Sequence, residues 1–142
     1  MDIKDQWQVC SLELSKRLKA LGYPQKESLW YWVRHFECKI DRYQWDLFLR
    51  DDDDDVNECI SAPTVAELGE KLPYPISFYN KIEEQGYRVG VDMGMLEYVL
   101  TGRSGGKYNP INFYAGNEAN ARGLMWEYLK KNGLLKDKNV EK

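Results

Sequence analysis

His35 is the single histidine among 142 residues, so an imidazole base, a Cys–His nucleophile or a His-ligated metal would all have to use it. Cys38 lies three positions further on. Within one strand that odd separation turns the two side chains to opposite faces, and only an intervening turn would bring them round. Zinc would need two further ligands, for which Cys59 and an aspartate are the only suggestions. The expectation is an ordinary, partly exposed histidine, with no metal, no cofactor and no catalytic set. Carboxylates pose a different problem, because 23 acidic residues offer many acid–base pairs and none occupies a recognisable motif.

Two loops imitate ligand sites and fail on spacing. In TGRSGGKY, Gly102 and Gly106 are one residue too close for a phosphate loop, and Tyr108 stands where magnesium needs Ser or Thr. Arg103 and Lys107 remain available there to an anion. The acidic run 51–55 begins like a calcium loop, but Val56 replaces the glycine of the sharp turn and Ala62 the bidentate glutamate. Its self-repulsion marks 51–58 as an acidic surface segment.

The most suggestive group is aromatic. Trp30, Tyr31, Trp32, Tyr43 and Trp45 sit in strand-like stretches, and such rings either stack bases or form protein interfaces. Base stacking works beside interleaved cations. Arg34, Arg42 and Arg50 are present, yet Asp41, Asp46 and the acidic run oppose a polyanion, so nucleic acid is disfavoured. The expected interaction surface is Trp30, Trp32 and Trp45 together with Arg103 and Lys107, offered to a protein partner or a second copy of the chain.

These residues need elements to hold them. The clearest is SAPTVAELGEKLP, where Thr64 and Glu67 form a capping box, Val65, Leu68 and Leu72 share a face, and Pro73 ends the helix. Trp7, Cys10, Leu14, Leu18 and Leu21 step by three or four, predicting a helix over 5–21 closed by Gly22. Asn117 caps a third helix to about residue 132, with stripe Ala121, Leu124, Met125, Tyr128 and Leu129. ESLWYWVRHF and KIDRYQWDLFLR read as paired strands, and a hairpin follows over 76–93. MLEYVLT extends it as a third strand, and 102–116 reads as a turn-rich connection. The fold expected is α+β: an antiparallel sheet of about five strands covered by three helices, in two layers.

Composition agrees with one globular domain over 1–142, frayed at 136–142, since domains commonly hold about 100 to 150 residues. Apolar residues make up 43% and aromatics 13%, with five Trp and ten Tyr, so large rings must be buried or used. A net charge of −3 supplies no positive field for nucleic acid or anionic lipid. Three scattered cysteines without a CxxC, the charged start MDIKDQWQVC and the lack of a long apolar run place the expectation in the cytoplasm, away from the membrane.

Three blocks, VCSLELSKRLKALGYPQKESLWYW, SAPTVAELGEKLP and NEANARGLMWEYLKKNGLL, resemble a family of uncharacterised proteins of bacterial genomes and bacteriophages. The resemblance rests on Leu-Gly-x-x-Gln at 21–25, Ala-Pro-Thr at 62–64 and Glu-Ala-x-Ala-Arg at 118–122. It differs at Asn120, where the family often carries an acid, and over 102–116. The resemblance implies a phage or mobile-element origin and no established enzyme activity, while the excess of aromatics, the mildly acidic balance and the absence of a catalytic constellation set the expectation of a non-enzymatic accessory or protein-interaction module. A carboxylate-dependent hydrolase and a weak single-stranded nucleic-acid binder are the alternatives.

Overall fold

The computed structural model describes residues 9–49, 58–73, 77–81, 86–103 and 109–135. The elements run α1 (Leu12–Ala20), β1 (Trp30–Glu37), β2 (Arg42–Leu49), β3 (Glu58–Ser61), α2 (Val65–Lys71), β4 (Ser77–Lys81), β5 (Gly86–Asp92), α3 (Met93–Thr101), β6 (Pro110–Ala115) and α4 (Glu118–Lys131). The α+β class and the antiparallel pairing agree with the sequence. The described strands divide between two three-stranded sheets, ordered β2-β1-β3 and β4-β5-β6.

Helix ends follow local chemistry closely. Thr64 Oγ1 accepts from Glu67 N at 3.2 Å while Glu67 Oε1 accepts from Thr64 N at 3.0 Å, which is the reciprocal box that starts α2. Two helices close with the same Schellman pair: Tyr23 N to Leu18 O at 2.9 Å with Gly22 N to Lys19 O at 3.0 Å, and Leu134 N to Leu129 O at 2.8 Å with Gly133 N to Lys130 O at 3.2 Å. Gly22 and Gly133 stand at φ 94° and 67°, left-handed conformations that a side chain would strain.

Four expectations are corrected. α1 begins at Leu12 rather than near residue 5, because Val9 bridges to Thr64 and Cys10 N donates to Pro63 O, which draws 9–10 into an extended pairing. Ser11 then caps the helix by accepting from Leu14 N; Trp7 falls outside the described residues. MLEYVLT is helical, not a third strand: Asp92 caps α3 through Gly94 N, Leu96 and Leu100 meet the core at i, i+4, and Gly102 at φ 74° ends it. An apolar run with few polar positions fits either period, and here the caps decide. The 102–116 connection contains β6, whose Ile111, Phe113 and Ala115 face the core. β3 begins at Glu58, the last residue of the expected acidic segment, and it pairs with β1 where a plain lead into α2 was expected.

The main core gathers α1, α2, α3, α4, β5 and β6 around Leu14, Leu18, Leu68, Val89, Leu96, Met125 and Leu129. Burying each such side chain contributes roughly 1.5 to 3 kcal/mol. α4 is covered nearly all round, since Ala119, Ala121, Gly123, Met125, Trp126 and Leu129 are all buried, whereas the predicted Leu124 and Tyr128 are only partly so. Gly123 lets α1 approach: a Cβ there would stand 2.7 Å from Leu14 Cδ2 and 2.8 Å from Cys10 Sγ.

The three sequence blocks meet at one junction. Gln25 Oε1 accepts from Ser61 N at 2.8 Å, Ser28 and Ser61 share a buried hydroxyl bond, and Glu67 Oε2 accepts from Leu29 N at 3.0 Å. Asn120 Oδ1 accepts from Ser11 N at 2.8 Å, and Arg122 Nη1 donates to Val65 O at 2.9 Å across Gly69. Gln25, Ser61, Glu67, Asn120 and Arg122 therefore act as ties between α1, α2, β3 and α4. The polar side chains of Gln25, Glu67, Asn120 and Arg122 satisfy backbone N–H and C=O groups at exposed and partly buried positions between the elements.

Candidate functional site

The register of β1 and β2 sorts their side chains into two faces. Trp30, Trp32, Arg34 and Phe36 share one with their partners Leu49, Leu47, Trp45 and Tyr43; Tyr31, Val33, His35 and Glu37 share the other with Phe48, Asp46, Gln44 and Arg42. Ile60 and Cys59, opposite Trp32 and Val33, extend the two faces onto β3.

The aromatic face changes character along its length. At its inner end Trp30 and Trp32 pack on Val9, Leu47 and Ala62, and Trp32 Nε1 donates to Cys10 O at 3.0 Å. These two tryptophans are anchors of a small second core. At the outer end Phe36 and Tyr43 meet edge to face at 5.3 Å, and Arg34 lies 4.3 Å from the Tyr43 ring centre. Lys16 reaches from α1 to within 5.2 Å of the Trp45 ring. Phe36 is 45% and Tyr43 58% exposed, so this end is a surface of rings and cations.

Trp30, Trp32 and Trp45 are thus brought to one face, as their odd and even positions allow, but only Trp45 borders the open part. Phe36, Arg34 and Lys16 complete it, and sequence reasoning did not include them in the expected surface. Parity along β1 would have found the first two; Lys16 depends on where α1 packs. Arg103 is exposed just beyond α3 and makes no described contact with the hairpin, its N–H donating to Thr101 Oγ1 at 3.2 Å. Lys107 lies outside the described residues.

On the opposite face, His35 Nε2 and Asp46 Oδ2 are 2.5 Å apart, and Gln44 Nε2 donates to the same oxygen at 3.0 Å. His35 also meets the Phe48 ring edge to face at 5.7 Å. Cys38 is exposed in the turn after β1. Among the described residues no three of His, Cys, Asp and Glu gather to hold a metal.

Two buried groups have structural duties. Burial pushes the Cys10 thiol well above its ordinary range and the nearby Glu67 charge adds to this; its Sγ donates to Ala119 O at 3.2 Å, so it is not a nucleophile poised as thiolate. Glu127, the one buried carboxylate among the described residues, is held by Arg17 Nε at 2.8 Å and Lys131 Nζ at 3.8 Å. That charge-assisted bond raises the Arg17 guanidinium above its ordinary value.

A second apolar surface lies on α3, where Met95, Tyr98 and Val99 are exposed at i, i+3, i+4 spacing. Reading this segment as a strand concealed that spacing. No described helix is long and apolar enough to cross a membrane. Comparison of the chain with protein-family models, curated proteins and solved structures finds no match.

Proposed function

We propose that this chain is a non-enzymatic accessory module that docks another protein through the outer half of the β1–β2 hairpin. The observation that carries the reading is the contrast within one ladder: Trp30, Trp32 and Leu47 are packed, while Phe36, Tyr43 and the adjacent Ile40 are left on the surface. Apolar rings held rigidly by a strand pair, with Arg34 and Lys16 beside them, match the aromatic and arginine composition of interface hot spots. Immobilised protein is expected to retain a defined protein partner, and Tyr43→Ser is expected to release it with the circular dichroism spectrum unchanged. Retention that is indifferent to Tyr43→Ser and Phe36→Ser would refute the surface.

A second reading, stacking of single-stranded nucleic acid, is favoured by the placing of Arg34 over Tyr43 and Lys16 over Trp45. Submicromolar binding of a labelled oligonucleotide at physiological salt, lost in Tyr43→Ser, would put it first. The net charge of −3 argues for the protein partner.

A further inference from the structure

We infer that the outer edge of β2 pairs with β2 of a second copy of this chain, antiparallel about a two-fold axis at Gln44. This rests on reading the hairpin as a docking surface, and names what occupies it. β2 is an eight-residue strand that ladders to β1 on one side, and no described strand lies on its other side. A strand in that position carries outward N–H and C=O groups that template further pairing. Tyr43, Phe48 and Leu49 are exposed along it, and its two charges, Arg42 and Asp46, are of opposite sign, so they do not repel a second copy.

Symmetry restricts the registers. A two-fold axis perpendicular to the sheet keeps each face on its own side, so opposed residues must share a face and the axis must pass through a residue. Charge then chooses. With Gln44 at the axis, Arg42 stands opposite Asp46 of the second copy, twice over on one face, and Tyr43 stands opposite Trp45 on the other. Moving the axis to Trp45 sets Arg42 against Phe48 and Asp46 against Gln44. Moving it to Asp46 sets two carboxylates face to face, which is repulsive.

The side chains are prepared for this arrangement. Arg42 is exposed and has no partner among the described residues. Asp46 is half exposed and uses Oδ2 for both His35 and Gln44, leaving Oδ1 without a described contact. The ladder is short, so the association is a weak one.

Sedimentation equilibrium of the full chain between about 5 and 500 µM tests this, a range suited to small interfaces. The weight-average mass is expected to climb from one protomer toward two. Arg42→Asp should weaken self-association about tenfold or more by opposing carboxylates, and adding Asp46→Arg should restore it. Because Arg42 is exposed and unpartnered, an unchanged circular dichroism spectrum serves as the folding control. In a Cys38→Ser background, Gln44→Cys should cross-link under mild oxidation and Trp45→Cys should not. A mass fixed at one protomer, a dimer indifferent to Arg42→Asp, or cross-linking through position 45 alone would each overturn the inference. If the wild type stays monomeric while a different protein is still captured in a Tyr43-dependent way, self-pairing fails and the docking surface stands. Failure of both measurements removes both.

Discussion

Replacing Gly123 with alanine sets two terms of opposite sign against each other. In a helix interior Ala is favoured over Gly by about 1 kcal/mol. At Gly123 the added methyl would sit 2.7 Å from Leu14 Cδ2 and 2.8 Å from Cys10 Sγ, where apolar atoms settle near 3.5 to 4.0 Å. Both neighbours are buried, and Cys10 is tied to Ala119 O, so neither can swing into solvent. Such overpacking costs about 1 to 3 kcal/mol. The expected net loss is about 1 kcal/mol, or about 4 °C in Tm for a domain of this size. Leu14→Ala alone should cost about 2 to 5 kcal/mol, but it removes one of the two close contacts. In that background Gly123→Ala should cost less than in the wild type, because only the Cys10 Sγ contact remains. Urea titration of the four proteins gives the coupling directly, expected at about 1 to 3 kcal/mol. Stabilisation by Gly123→Ala in the wild type, or the same effect in both backgrounds, would refute the close approach of α1 and α4.

Two further outcomes are expected. Burial, with the Glu67 charge adding, raises the Cys10 thiol and the Tyr23 hydroxyl above their ordinary values of 9.0 and 10.0. The unfolded chain therefore releases these protons first, so stability is complete below pH 9 and falls above it, each group approaching about 1.4 kcal/mol per pH unit. Tyr23 Oη is buried without a partner, so Tyr23→Phe should change neutral-pH stability by less than about 1 kcal/mol while flattening the decline above pH 10; unaltered slopes in a pH series of denaturation curves would contradict this. Asp92→Ala removes the acceptor for Gly94 N at 2.9 Å and Asn109 N at 3.3 Å and should cost about 1 kcal/mol, with faster amide exchange confined first to α3. Exchange that is unaffected over 93–101 would count against the helix.

Local rules were enough wherever a few neighbouring residues satisfy one another. Thr64 with Glu67, Gly22 after α1, and Gly133 with Leu134 after α4 could all be read directly, because cap and turn chemistry is complete within six residues. The period of two likewise placed Tyr43, Trp45, Leu47 and Leu49 on one face of β2, and the cross-strand register then set Trp30 and Trp32 beside them. Tertiary structure decided what local patterns leave open. The stripe from Trp7 to Leu21 continues through Cys10, yet Val9 and Cys10 are held extended by Thr64 and Pro63, partners more than fifty residues away. α3 is apolar on both sides, so neither period dominated, and its caps settled the helix. On the aromatic face Trp30, Trp32 and Leu47 are packed because Val9 and Ala62 reach them, while Phe36, Tyr43 and Leu49 stay open. A sequence specifies which side chains share a face; which part of that face is covered depends on segments distant along the chain, through contacts that burial rewards without regard to spacing.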